Sequence, residues 1–228
     1  MKLLWTVDTQ YDTFSCDKYN HIIDCKDTVF VPFCGTEENK KISITYIQID
    51  KKTGKRIDSL PQRIETFDLQ YKILYSNKTY KIGNKTIKLK SEHYIECIEN
   101  QKVIWTFKHW AYLYTEIVEK DNCVIFGTDG MGSRLYCLDA ETGKLMSETK
   151  TRYSGFYDYD GFNWYKGNIV VYGKGTLALL NPITGEVVDE HKIPSKYLYR
   201  SFLKVIDGYA YACVLTNDNQ PTIMCFEL

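Results

Sequence analysis

Along this chain of 228 residues the apolar positions cluster in runs shorter than ten residues, each bounded by polar turn-forming residues. The runs at 28–33, 123–127, 168–173 and 209–214 are rich in Val, Ile, Phe, Tyr and Cys. Runs of that length and β-branched or aromatic content predict strands, because a helix needs a longer stretch with a 3.6-residue period. Continuous apolar character over four or more residues further predicts strands buried on both faces, the middle strands of packed sheets.

A repeated unit organises these strands. Residues 46–55, 136–144 and 179–186 each read as a strand, a polar turn and a second strand, with the shared core Asp/Asn-x-x-Thr-Gly at Asp50–Gly54, Asp139–Gly143 and Asn181–Gly185. An Asp or Asn side chain accepts hydrogen bonds from turn amides, and Gly adopts the left-handed conformation needed to rejoin the partner strand. Pro182 sits where a fixed φ near −65° favours a type I turn. Residues 94–105 keep strand, turn and strand with a shorter turn and no Thr-Gly. The last copy is split across the termini: residues 222–227 match the strand before the turn, and residues 2–5 the strand after it.

With the acidic or Asn turn residue as the mark, the copies stand at 50, 99, 139, 181 and 227, with spacings of 49, 40, 42 and 46. A period of about 40–50 residues is one four-stranded blade of a propeller. The expected fold is therefore all-β: a single five-bladed β-propeller over residues 1–228, built of four-stranded antiparallel blades. The N-terminal strand is expected to complete the C-terminal blade, which closes the ring through backbone hydrogen bonds and covers an otherwise exposed edge.

Residues 136–144, Tyr-Cys-Leu-Asp-Ala-Glu-Thr-Gly-Lys, resemble the repeat of pyrroloquinoline-quinone-type propellers, an apolar strand followed by Tyr-x-Leu-Asp-x-x-Thr-Gly-Lys and a strand often ending in Trp. Trp5 and Trp105 fall where that Trp falls, whereas Ser147 and Asp58 stand in its place in two other copies. The resemblance implies the fold. It does not carry the cofactor across: quinoprotein dehydrogenases of this type have eight-bladed rings, this chain has room for about five blades, and it has no adjacent cysteine pair. No cofactor is expected.

Charge and composition narrow the functional classes. Lys and Arg balance Asp and Glu at 29 each, so no excess positive field draws the chain to nucleic acid or an anionic membrane. Residues 78–90 carry five lysines and no acid, which reads as a solvated hairpin edge guarded against aggregation. No apolar run approaches the ~20 residues of a membrane span, and Asp8 interrupts the N-terminal apolar run. The eight cysteines form no C-x-x-C pair, and Cys97, Cys123, Cys137, Cys213 and Cys225 lie in strand runs, as free thiols in a reducing cytoplasm would. The sequons at Asn77 and Asn84 are then coincidental.

Candidate chemistry lies between the outer strand of one copy and the middle strand of the next. These segments, 11–14, 67–71, 110–114, 156–160 and 197–202, are aromatic and are expected to enter the innermost strands. Most such rings wedge between neighbouring sheets. Exposed ones would form a binding platform, since Tyr, Trp and Arg dominate interaction hot spots. Trp110, Tyr112, Phe156, Tyr157, Tyr199 and Arg200 are the candidate partner-binding residues.

The catalytic and metal motifs are missing. His21, His93, His109 and His191 are far apart in sequence, there is no H-E-x-x-H or G-x-S-x-G motif, and residues 158–163 lack the closing Glu of a calcium loop. The expected protein is a non-catalytic, monomeric, protein-binding propeller without metal or cofactor, of which an inhibitor or immunity-type protein is one version. The alternatives are a carbohydrate-binding or glycan-cleaving propeller, with Asp12, Asp68, Glu116 and Asp158 as convergent carboxylates, and a quinone-dependent oxidoreductase.

Overall fold

The computed structural model describes residues 1–8, 22–36, 42–57, 62–63, 79–91, 93–110, 112–113, 117–129, 134–150, 157–158, 161–173, 175–194, 197–216 and 221–228. These residues form five four-stranded antiparallel sheets. The first contains Ile23–Cys25, Thr28–Thr36, Ile42–Asp50 and Gln62–Arg63; the second Thr79–Ile82, Lys85–Ser91, Tyr94–Glu99 and Lys102–Lys108. In the third, Cys123–Asp129, Arg134–Asp139 and Leu145–Lys150 follow a first strand split into Tyr112–Leu113 and Val118–Lys120, both paired with Cys123–Asp129. The fourth is Trp164–Tyr165, Asn168–Gly173, Thr176–Leu180 and Val187–Lys192. The fifth joins Tyr197–Ile206, Tyr209–Thr216 and Pro221–Glu227 to the N-terminal strand Lys2–Asp8, which pairs antiparallel with Pro221–Glu227 from Lys2 opposite Glu227 to Asp8 opposite Thr222.

The chain divides into two compact units: Met1–Gln70 with Lys174–Leu177 and Glu190–Leu228, and Tyr71–Gly173 with Ala178–Asp189. In the first unit, Val29, Val31, Ile47 and Ile49 of the first sheet share a core with Tyr211, Cys213, Ile223 and Cys225 of the fifth. In the second, Ile87, Ile95 and Cys97 of the second sheet pack with Val124, Phe126, Tyr136 and Leu138 of the third. The opposite face of the third sheet, Cys123, Ile125, Leu135 and Cys137, packs with Ile169, Val171, Ala178 and Leu180 of the fourth. Side chains alternate faces along a strand, so the unbroken apolar run at 123–126 supplies both cores at once.

The Asp-x-x-Thr-Gly turns take the form their chemistry predicts. Asp50 Oδ1 accepts hydrogen bonds from both the amide and the hydroxyl of Thr53, each at 2.7 Å, and the Gly54 amide donates to the Asp50 carbonyl at 2.9 Å. Asp139 repeats this with Thr142 at 2.7 Å and with Gly143 at 2.9 Å. Asn181 holds the Ile183 and Thr184 amides at 2.9 and 3.1 Å. These bonds stabilise the carboxylate form and hold Asp50 and Asp139 below their ordinary value, with the Thr side-chain bond the largest cause. In the second sheet the shorter turn places Asn100 and Gln101 both at positive φ, 47° and 64°, which is the geometry of a two-residue type I′ hairpin.

In three of the sheets the outer strand carries a β-bulge. The register slips between Leu3 and Trp5, between Val103 and Trp105, and between Leu145 and Ser147, so Leu4, Ile104 and Met146 are the extra residues. A bulge re-aims the side chain that follows it. Trp5 thereby lies over the turn of the first sheet, its Nε1 donating to the Lys51 carbonyl at 2.9 Å, while a Cβ on Gly54 would come within 2.6 Å of its ring. Trp105 makes the same clasp on the third sheet, donating to the Ala140 carbonyl at 3.1 Å, with a Cβ on Gly143 reaching 2.5 Å from the indole. Gly54 and Gly143 have φ of +69° and +67°, so Gly is required there twice over, by backbone conformation and by the ring that covers it.

The aromatic segments do not all occupy the strands expected of them. Residues 197–202 open the strand Tyr197–Ile206, and Tyr112–Leu113 is one half of a split first strand. Tyr157–Asp158 instead pairs with Gly161–Phe162 in a separate hairpin, and the fourth sheet begins at Trp164–Tyr165. The left-handed pair Lys166 and Gly167, at φ 44° and 81°, explains this, because it turns the chain directly from Trp164–Tyr165 into Asn168–Gly173. Residues 11–14 and 67–71 lie outside the described residues.

Candidate partner-binding site

The second sheet ends on Lys108, and the chain leaves it through His109 and Trp110. His109 is buried, its amide bonded to the His93 carbonyl at 2.9 Å and its ring edge-on to Phe126 at 5.6 Å. Beneath it, Phe126 and Tyr136 stack at 5.1 Å and 18°, with Phe107 set edge-on to Tyr136 at 5.7 Å. The Tyr136 hydroxyl reaches out of this stack and accepts the Trp110 amide at 3.2 Å. The backbone of Trp110 is thus anchored to a rigid aromatic base.

Its side chain is not covered. Trp110 is 72% exposed, the most exposed large apolar side chain among the described residues. The Arg134 guanidinium sits 5.6 Å from the ring centroid and is itself paired with Glu148. Arg134 opens its strand opposite Lys150, and Glu148 lies opposite Tyr136, so the cross-strand diagonal brings the guanidinium and carboxylate together. A cation over an indole contributes about 0.5–1 kcal/mol at an exposed site. The pair is held in place before any ligand arrives and presents a flat ring, a five-donor fork and a carboxylate on one surface.

Of the residues expected at this platform, Trp110 is exposed. Tyr112 and Tyr157 lie on strands of the second unit, and Tyr199 and Arg200 on a strand of the first; the side chains of these four, and all of Phe156, lie outside the described residues. So do Asp12, Asp68 and Glu116, and the side chain of Asp158. Sequence reasoning missed Arg134 and the pairing of His93 with His109, whose rings are 6.4 Å apart. The two-residue turn after Glu99 and the extra residue Ile104 together set Tyr94 opposite Lys108, and therefore His93 beside His109; the turn is readable in the sequence and the bulge is not.

Among the described residues no three His, Cys, Asp or Glu side chains stand together as metal ligands, and no helix is long and apolar enough to cross a membrane. Cys25, Cys97, Cys123, Cys137, Cys213 and Cys225 are free thiols, all but Cys25 buried.

No protein-family model matches the chain, and no curated protein matches it. Among solved structures it is similar to BamB from Moraxella catarrhalis, at 14% identity and a TM-score of 0.41 over 88% of this chain and 56% of that one. It is similar to the WD40 domain of Pan2 from Neurospora crassa, at 11% and 0.38 over 92% and 61%. It is also similar to the quinohemoprotein alcohol dehydrogenase ADHIIG from Pseudomonas putida HK5, at 12% and 0.43 over 99% and 44%. All three are β-propeller proteins. The chain spans about half the length of these structures, covering 56%, 61% and 44% of them.

Proposed function

We propose that the five sheets are the blades of one propeller domain, closed by the N-terminal strand, and that the protein is a non-catalytic binding module whose partner is another protein. The observation that supports this most directly is Trp110, a 72% exposed indole on a buried aromatic base with Arg134 across its face. Trp and Arg are the residues that most often carry binding energy, and a rigid pair loses little side-chain entropy on docking. The free, buried thiols accord with a reducing compartment such as the cytoplasm. An inhibitor or immunity-type role, in which the platform blocks a toxin or enzyme, is the specific form we favour.

The test compares the wild-type chain with Trp110→Ala in affinity capture from the native host, circular dichroism confirming that both fold. Loss of a hot-spot Trp lowers affinity by at least about 2 kcal/mol, roughly thirtyfold, so a stoichiometric partner should be retained by the wild type alone. Equal retention by the two proteins would reject the site, and a glycan retained in place of a protein would reject the partner class.

A further inference from the structure

We propose that Cys123, Cys137 and Met146 form a binding site for a soft monovalent cation, Cu(I), on the face of the third sheet that packs against the fourth. The three sulfurs come from three adjacent strands, Cys123–Asp129, Arg134–Asp139 and Leu145–Lys150. Cys123 pairs with Asp139 and Ile125 with Cys137, so the two cysteines lie diagonally across one strand pair on the same face. Their thiols are hydrogen-bonded to each other, and the Cys123 thiol donates onward to Met146 Sδ at 3.5 Å. A thioether accepts and cannot donate, so the sulfur chain ends there.

The bulge builds the third corner. Leu145 pairs with Leu138 and Ser147 with Cys137, which leaves Met146 as the extra residue, and its thioether folds back over Cys123. Both thiols are buried, while Met146 is 52% exposed. The two thiols are therefore shielded from water, and the flexible thioether borders them on the exposed side. Thiolate and thioether donors select Cu(I), whereas zinc takes four nitrogen, oxygen or sulfur ligands in a tetrahedron, and no such set is gathered here among the described residues. The Cys123 thiol, donating to Met146 Sδ, carries its proton before the ion arrives. Binding is then an exchange: Cu(I) enters without change of oxidation state, one S–H bond breaks as a Cu–S bond forms, and one proton leaves to solvent. One thiolate, one thiol and one thioether leave the buried site without net charge.

The experiment is an anaerobic titration of the full chain with Cu(I) against a competing chelator, followed by thiolate-to-copper absorption in the ultraviolet and by proton release. The wild type should hold one ion that Cys123→Ala does not, with one proton released. Met146→Leu should keep the stoichiometry and weaken affinity about tenfold or more. An unchanged affinity in Met146→Leu overturns the site, and because that residue is exposed the variant decides the matter even if Cys123→Ala fails to fold. Equal retention of the ion by a folded Cys123→Ala overturns it as well.

Discussion

The second and third sheets share a strand–turn–strand unit and the same bulge, yet differ in the side chain that follows it. In the second, Trp105 lies opposite Cys97; in the fifth, Trp5 lies opposite Cys225; in the third, Ser147 lies opposite Cys137. All three cysteines are buried. Where the neighbour is an indole, the small thiol gives it room, and the indole covers the turn glycine ahead of it. Where the neighbour is serine, the thiol meets Cys123 instead, and Thr149, two residues further along, covers Gly185. Strand pairing and bulge are therefore the parts these three sheets share, and the clasping side chain is exchangeable.

The largest test of that comparison is to remove the clasps. Trp105→Ala deletes a buried ring that fills the core between second and third sheets, and should lower stability by about 3–5 kcal/mol. Thr149→Ala removes a half-buried hydroxyl and methyl and should change it by under about 1 kcal/mol. Urea titrations give both values; equal losses would show that Thr149 is as much a clasp as the tryptophan.

Next in size come the glycines. Gly143→Ala meets the Trp105 indole at 2.5 Å and must hold φ near +67°, so it should cost about 2–3 kcal/mol through strain and displacement of the ring. Combining it with Trp105→Ala should be clearly less than additive, since the first change already removes what the second Cβ would strike. Additivity in the double-mutant cycle would mean that the backbone conformation, and not the ring, dictates glycine.

The turns and strands were legible in the sequence because their chemistry is local. Asp50, Asp139 and Asn181 each bond amides only two or three residues away, and the apolar run at 123–126 announces two buried faces by its continuity. The bulges were not legible, since one extra residue in an outer strand alters no pattern of polarity; they appear only when Trp5 and Trp105 are found re-aimed at turns distant in sequence. The Trp110–Arg134 pair was half legible: the indole is conspicuous, but its cation arrives from across a loop and a strand pair.

The smallest effect separates the Asp turns from the Asn turn by pH. Asp50 and Asp139 sit below their ordinary value of 3.8 because Thr53 and Thr142 bond the ionised form. A carboxylate whose value is lowered on folding contributes stability that is present above the unfolded value and lost as pH falls through the folded one. The loss should fall below about pH 4, where the unfolded chain has already taken up the protons that the native turns refuse. Asn181 shows that an amide oxygen holds the same turn without a titrating group. Asp50→Asn combined with Asp139→Asn should therefore change stability little at pH 7 and flatten its decline below pH 4, read as a smaller shift in urea midpoint between pH 5 and pH 3. Parallel declines in the variant and the wild type would place the acid sensitivity in other carboxylates and leave the two kinds of turn equivalent.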